Sequence, residues 1–322
     1  MDDLLIAASP SLLDSIKQML HQQFRMKDLG EATSLLNIEI IRNRQQQTIM
    51  LRQLGYLRSI LATYNMSNYK AISTSIEVKT SLPKLPATPT SALSIPYRQA
   101  IGKLIYAASS TRPDISFATS MVSTHLQAFD TPHWEAVKRI FRYLQGTLHY
   151  GLIFNSNGQS LLTLEGYSDA DWARDSSDRK STSGYLFTLK GASISWMSKK
   201  QDTVALSSTE AEYIATTHAA KEALWLRGLL HDLGYPQESA TIIHEDNQGC
   251  IALSKNPIFH TRTKHLDVQA HFIREQVRTN KVALNYCPTE NMVADFLTKA
   301  LHSPQLIKLC QLAGIIPTTH HC

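Results

Sequence analysis

Apolar residues in the first half of the chain recur mainly at the spacing of amphipathic helices. Residues 11–24 and 55–66 show this spacing, whereas 35–43, which lies between them, alternates like a strand. Residues 97–154 again follow the helical pattern. The stretch 81–96 is rich in Pro, Ser and Thr and has no periodicity, which indicates an extended linker. The first half is therefore predicted to be mostly helical.

The second half of the chain begins with strand patterns and then alternates between helices and strands. Ser207 and Glu210 form a capping box that predicts the start of a long helix, and Gly234 predicts its end. The turn-rich stretch 155–159 precedes this half and is the predicted domain boundary. The other predicted elements are strands 161–169, 183–191, 193–198, 241–246 and 281–287, and helices 247–255, 264–278 and 291–301.

Four carboxylates lie at positions where a purely structural role is hard to assign. Asp169 and Asp246 end predicted strands, and Glu212 and Asp295 lie on predicted helices. Acids at the ends of neighbouring strands and on the helices packed over them converge on one point, and they repel each other there unless divalent cations neutralise them. Hard oxygen ligands of this kind select Mg²⁺ or Mn²⁺. The order Asp, Glu, Asp, Asp therefore predicts a nuclease site in which all four acids hold two Mg²⁺ or Mn²⁺ ions.

Two neighbouring acids compete with these four as ligands. Glu210 lies about 200° round the helix from Glu212, so the two cannot face the same ions, and the capping box already gives Glu210 a structural role. Glu245 points to the opposite face of its strand from Asp246. Asp246 is therefore the preferred ligand.

Composition narrows the class of protein only slightly. The 322 residues carry a net charge of +5, which permits a nucleic-acid partner without requiring one. The four cysteines show no CxxC spacing, which indicates reduced thiols in an intracellular protein and no zinc site. No apolar run reaches the roughly 18–20 residues that span a bilayer, so no membrane partner is expected.

Several long motifs give the chain a specific resemblance. The second half contains, in order, YSDADWARDSSDRKSTSGYLF, ISWMSKKQDTVALSSTEAEYIA, EDNQGCIAL, RTKHLDVQAHFIRE and VADFLTKAL. The first half contains MDDLLI, FRMKDLGE, YRQAIGKLIYAASSTRPDISFA and RYLQGTLHYGL. In these segments the chain resembles the C-terminal part of the Pol polyprotein of copia-type LTR retrotransposons, which is the end of the reverse transcriptase followed by its RNase H.

The resemblance implies an α/β fold, with a mixed five-stranded RNase H-like sheet and its helices preceded by a mostly helical thumb and connection remnant. Asp169 would be the bridging metal ligand, Glu212 and Asp246 would flank it, and Asp295 would complete the site. Reverse transcriptase activity is not expected, because the fingers and most of the palm are missing. The implied parts are a palm and thumb remnant at 1–80, a linker at 81–96, a helical connection region at 97–157, the RNase H domain at 158–302 and a C-terminal tail at 303–322.

The implied substrate is an RNA–DNA hybrid, with the rest of the polymerase as a partner in trans. Basic, hydroxyl and amide side chains beside the four acids are candidate contacts to its phosphates and minor groove. They are Arg179, Lys180, Ser181, Lys199, Lys200, Asn247, Gln248, Arg262 and Lys264. His260 and His265 are interpreted as substrate contacts or helix caps rather than as catalytic groups.

Two other functions compete with the nuclease. A catalytically silent nucleic-acid-binding or subunit-contact module remains the alternative, and the loss of any of the four acids would have favoured it. A transposase or integrase of the same fold superfamily is rejected, because those enzymes end their triad with Glu where this chain has Asp295. The expected location is intracellular, either the cytoplasm, in the virus-like particle of an intact element, or the nucleus.

Overall fold

A computed structural model of the chain describes residues 4–85, 95–155, 162–173, 178–255 and 264–318, without the side chains of 264–268 and 270. Most of the predicted linker and the predicted boundary turn therefore fall outside the described residues. The helices are α1 (Pro10–Gln23), α2 (Leu54–Thr63), α3 (Tyr97–Ser110), α4 (Ser116–Ser123), α5 (Thr131–Gly146), α6 (Ser208–Asp232), α7 (Gln248–Lys255), α8 (Lys264–Arg278) and α9 (Ser303–Leu312). No helix in these ranges is both long enough and apolar enough to cross a membrane.

The strands form two separate five-stranded sheets. They are β1 (Ser34–Leu35), β2 (Ile38–Asn43), β3 (Thr48–Arg52), β4 (Tyr150–Asn155), β5 (Glu165–Asp171), β6 (Thr182–Leu189), β7 (Ala192–Lys200), β8 (Thr241–Glu245), β9 (Val282–Tyr286) and β10 (Ile315–Pro317). The first sheet has the order β1-β2-β3-β4-β10 and is antiparallel throughout. The second has the order β7-β6-β5-β8-β9.

The second sheet is mixed, and its topology identifies the fold. Strands β5, β6 and β7 form an antiparallel meander. Strand β8 pairs with β5 in parallel, and β9 pairs with β8 in parallel. Each parallel strand follows a helical crossover, as parallel pairing requires. Three antiparallel strands, a long helix and two parallel strands are the RNase H-like arrangement, so the predicted fold class is confirmed.

Three predictions made from local patterns are wrong, each because distant residues decide the structure. Residues 150–154 belong to a strand rather than a helix, because β4 pairs with β3 on one side and with β10 on the other. Residues 303–317, predicted to lie in a C-terminal tail, are part of the folded unit, since α9 buries Leu306 and Leu309 and β10 completes the first sheet. Helix 291–301 is replaced by two short 3₁₀ turns, Thr289–Asn291 and Val293–Leu297.

The larger hydrophobic core crosses the predicted boundary at 158. Ile101 and Phe141, from the connection helices, belong to the same buried cluster as Leu186 of β6. Phe296 and Leu297, from the second 3₁₀ turn, complete this cluster between the helices and the mixed sheet. The connection region and the RNase H-like sheet therefore share one core, and the two parts stabilise each other through it.

A buried ionic network lies at the base of this shared core. The Arg112 guanidinium is fully buried and donates through Nε and Nη2 to the two carboxylate oxygens of Asp114, at 2.9 and 2.6 Å. Nη1 and Nη2 also donate to the backbone carbonyl and the hydroxyl of Thr147, at 3.0 and 2.6 Å. The Tyr143 hydroxyl donates to Asp114 at 2.7 Å. The network ties the end of α3 to the end of α5.

Arg112→Met should destabilise the protein strongly, because it leaves the Asp114 carboxylate buried without its counter-charge. Removing one partner of a buried ion pair costs about 3–5 kcal/mol, and we expect a loss of that size in the free energy of unfolding, measured by urea denaturation. Arg58→Met changes an exposed arginine and should stay within about 0.5 kcal/mol of the wild type. A variant at position 112 that is as stable as this control contradicts the role of the network.

Candidate active site

Three of the four predicted acids meet where β5 and β8 end. Asp169 lies in β5, opposite Gly184 of β6, and Asp246 directly follows the last residue of β8. Glu212 lies in the first turns of α6, whose start is fixed by the Ser207 hydroxyl, which accepts from the backbone N–H of Glu210 at 3.1 Å. One carboxylate oxygen from each of Asp169, Glu212 and Asp246 lies within 4.8 Å of the others.

The fourth acid joins this group through a lysine. Asp295 lies in the 3₁₀ turn Val293–Leu297 and is almost fully buried. The Lys299 ammonium is 2.8 Å from Asp295 Oδ1 and 3.8 Å from Asp169 Oδ1. The structure thus brings all four predicted acids to one place, and it adds a cation between two of them.

Thr298 and Lys299 are site residues that the sequence reasoning missed. The Thr298 hydroxyl, which is fully buried, donates to Asp169 Oδ2 and so fixes the orientation of that carboxylate. Both residues follow Asp295 within about one turn and lie in VADFLTKAL, one of the segments that carry the resemblance to the Pol polyproteins. Their positions three and four residues after a candidate ligand were the signal that could have found them.

Burial and mutual repulsion shape the protonation of the acids. Burial raises the pKa of Asp169, while the Lys299 ammonium and the Thr298 hydroxyl oppose the shift. Burial and the Asp169 carboxylate raise the pKa of Asp295 to about 7. Burial raises the pKa of Glu212 well above its usual range, and the neighbouring carboxylates, Asp169 first among them, raise it further. These are the shifts expected of carboxylates that lack enough positive charge.

The donor set fits a divalent cation. Glu212 Oε2 is buried and accepts no hydrogen bond from the described residues, although buried carboxylate oxygens are normally paired. One carboxylate oxygen each from Glu212, Asp169 and Asp246 lies within 4.8 Å of the others, which is an all-oxygen set of the kind that Mg²⁺ and Mn²⁺ favour. The residues present therefore suit the metal that the fold implies.

Glu245 is more closely linked to the site than its position on the strand suggested. Its side chain is fully buried and accepts from the Thr216 hydroxyl at 2.9 Å and from the backbone N–H of Asn247 at 3.1 Å. Burial raises the pKa of Glu245 well above its usual range. Asp246 remains the residue that supplies an oxygen to the cluster, and it accepts from the Thr289 hydroxyl at 2.7 Å.

Some of the predicted nucleic-acid contacts present charge or polarity at the surface. Arg179, Lys199 and Gln248 are exposed, and Lys180 is half-buried. Lys200 is also half-buried and pairs with Asp178 at 2.9 Å. The basic side chains therefore lie on the turn before β6 and at the end of β7. Lys199 and Lys200 pair with the β6 residues Ser183 and Thr182, which directly precede Gly184, the partner of Asp169.

Two other predicted contacts have structural roles. Ser181 is fully buried and its hydroxyl accepts from the backbone N–H of Ala173 at 3.2 Å, so it cannot reach a substrate and this prediction is wrong. Asn247 caps α7, because its side-chain oxygen accepts from the backbone N–H of Cys250 at 3.0 Å. Arg262 and His260 lie outside the described residues, and the side chains of Lys264 and His265 are not described.

The strand order and the four acids define an RNase H-like domain packed on an upstream unit of helices and strands. The family described as "Reverse transcriptase (RNA-dependent DNA polymerase)" matches residues 1–78. Among solved structures, LC11-RNase H1, isolated from compost, is 18% identical and covers 42% of this chain and 92% of its own, with a TM-score of 0.34. This score is low, and the fold assignment rests on the strand order instead.

Curated relatives resemble nearly the whole chain. It is 43% identical over 319 residues to the "Retrovirus-related Pol polyprotein from transposon TNT 1-94" of Nicotiana tabacum, with 98% of this chain and 24% of the relative covered. It is 37% identical over 324 residues to the corresponding polyprotein from transposon RE2 of Arabidopsis thaliana, with 100% and 22% covered. The chain belongs to the family of copia-type retrotransposon Pol polyproteins. It spans about a quarter of the length of these relatives.

Gly184→Ala should displace the turn that carries Asp295 and Thr298. A Cβ atom at position 184 would lie 2.7 Å from Thr298 Cγ2 and 2.8 Å from Leu297 Cβ. We expect a loss of about 1–3 kcal/mol in the free energy of unfolding, as for other overpacked cores, together with weaker Mg²⁺ binding in calorimetric titrations.

Gly228→Ala in α6 is the matched control, because an added Cβ meets nothing within 4 Å there. In this helix position alanine should leave stability unchanged or raise it by up to about 1 kcal/mol. If Gly184→Ala behaves like this control in both measurements, the turn is not held in place by its contact with β6.

Proposed function

We propose that this chain is an RNase H that hydrolyses the RNA strand of RNA–DNA hybrids with two Mg²⁺ or Mn²⁺ ions. The observation that carries the proposal is the convergence of oxygens from Asp169, Glu212 and Asp246 within 4.8 Å. These acids come from three different elements of an RNase H-like sheet and helix, and Asp295 lies beside them across Lys299. Membership in a retroelement Pol family supports the same activity.

Different residues of the site would have different roles in holding the metal ions. Asp169 would bridge the two ions, since it lies between the Glu212–Asp246 side of the cluster and Asp295. The Thr298 hydroxyl holds the Asp169 carboxylate in one orientation. Bound divalent ions supply an activated water and stabilise the leaving 3′ oxygen in phosphodiester hydrolysis. The burial of Asp169, Glu212 and Asp295 keeps water from competing for the ligand oxygens.

The exposed basic side chains are proposed to hold the hybrid against the acids. Arg179 lies at the surface of the turn before β6, and Lys199 lies at the surface of β7, which is separated from β5 by β6. Lysine and arginine neutralise phosphates and release counterions, so binding should weaken steeply as the salt concentration rises. The positive charge also offsets the repulsion between the phosphates and the acidic cluster.

The proposal is tested by incubating the purified chain with a hybrid that carries a labelled RNA strand. With Mg²⁺ the RNA strand should be cut to products with 5′-phosphate ends. Loss of a group that supports a metal ligand costs about 10–100-fold in activity, so Asp169→Asn, which changes a ligand itself, should lose at least about a hundredfold. EDTA should abolish the cleavage by both proteins.

Asp232→Asn is the matched control, because it makes the same change at an exposed aspartate at the end of α6. Its cleavage rate should equal that of the wild type. Hybrid binding without cleavage by the wild-type chain would favour the silent binding module. Cleavage by Asp169→Asn at the wild-type rate would remove this residue from the site.

A further inference from the structure

The ammonium of Lys299 lies between two buried carboxylates, Asp169 and Asp295, whose negative charges repel each other. The ammonium contacts Asp295 Oδ1 at 2.8 Å and approaches Asp169 Oδ1 to 3.8 Å, and about a quarter of the Lys299 side chain is exposed. The backbone holds it there, since the N–H of Lys299 donates to the Asp295 carbonyl at 3.0 Å. Lys299 therefore neutralises part of the charge of two predicted metal ligands without any bound ion.

The cation of Lys299 divides the acids into two unequal groups. On the Glu212 side, the cluster with Asp169 and Asp246 keeps a buried oxygen, Glu212 Oε2, that accepts no hydrogen bond from the described residues. On the Asp295 side, Asp295 Oδ1 is also buried and accepts no hydrogen bond from the described residues, but the Lys299 ammonium lies 2.8 Å from it and 3.8 Å from Asp169 Oδ1. A divalent ion held by Glu212, Asp169 and Asp246 would have the ammonium beside one of its ligands only, whereas an ion held between Asp169 and Asp295 would have it beside both ligands.

We propose that Lys299 is a resident cation that competes with the second divalent ion for Asp169 and Asp295. This inference rests on the metal site of the proposed function, and it adds an order of binding to it. The first ion binds to Asp169, Glu212 and Asp246. The second binds only after the ammonium has moved away, so its affinity is lower. Lys299 acts as a positioning residue that holds the ligands together when ions are absent.

The geometry allows the ammonium to withdraw. A lysine places one compact charge on a flexible four-carbon stem, and the exposed quarter of the Lys299 side chain gives the ammonium a path to solvent. The ligands do not need to follow it, because the Thr298 hydroxyl holds Asp169 and the buried 3₁₀ turn holds Asp295. Exchange of ammonium for metal thus needs a side-chain movement only.

The test has two measurements. Isothermal titration calorimetry measures Mg²⁺ binding, and thermal melting in EDTA and in Mg²⁺ measures the stability of the protein without and with the ions. In the wild type we expect a tighter and a weaker binding event. Lys299→Met removes the charge and keeps the stem, so its weaker event should tighten at least about tenfold, because a unit charge within about 4 Å of the ligands is removed. In EDTA the variant should melt at a lower temperature than the wild type, and Mg²⁺ should raise its melting temperature more.

Two control variants separate this role from a general effect of charge. Lys308→Met removes an exposed lysine of α9 and should change neither the binding events nor the melting in EDTA. Lys299→Arg keeps the positive charge and should keep the weaker event weak. If Lys299→Met does not fold in EDTA, the proposal requires that Mg²⁺ restores folding, and failure to restore it overturns the proposal. Equal or weaker binding of the second ion by a folded Lys299→Met also overturns it.

Failure of this inference can be told apart from failure of the proposed nuclease. If the wild type cleaves the hybrid but its Mg²⁺ binding does not respond to Lys299→Met, the nuclease stands and the competition is wrong. If Lys299→Met tightens Mg²⁺ binding but neither protein cleaves the hybrid, the competition stands and the nuclease is wrong. Binding is measured without substrate, so each result is obtained independently of cleavage.

Discussion

The fully buried guanidinium of Arg112 holds together two helix ends that lie beside the turn carrying Asp295. A buried charge is tolerated only where its hydrogen bonds are satisfied, and Arg112 obtains them from Asp114 and Thr147 at the ends of two helices. Asp114 in turn lines one small cavity together with Phe296 and Lys299. The ion pair in the connection region and the turn that carries Asp295 are therefore neighbours that line one small cavity.

The acidic cluster destabilises the fold electrostatically, because it holds several carboxylates in a buried space. Burial and mutual repulsion raise the pKa values of Asp169, Glu212 and Asp295, so each ionised carboxylate costs stability at neutral pH. The surrounding fold meets this cost with hydrophobic packing on both sides of the 3₁₀ turn and with the ammonium of Lys299. A site of this kind trades stability for affinity towards cations.

Local patterns in the sequence predicted the elements that local physics controls. The amphipathic helices, the N-cap at Ser207 and the strands of the mixed sheet follow from periodicity and turn chemistry, and the acids were predicted to converge because their order follows that of the elements. Strand β4 and the 3₁₀ turn were missed because their partners lie far away in the sequence. Ser181 was misassigned because its burial depends on tertiary packing, which a run of basic and hydroxyl residues does not show.

The pairing of β10 with β4 has a consequence for the order in which the chain can fold as it is made. Strand β4 is synthesised before the whole RNase H-like segment, whereas β10 and α9 follow it. Until the ribosome has finished that segment, β4 presents an unpaired edge and the shared core lacks Leu306 and Leu309. Domains usually fold one after another from the N-terminus. Here the first sheet, although most of it is synthesised earlier, needs β10 from the end of the chain for completion. The first sheet can therefore be completed only after the RNase H-like segment has been translated.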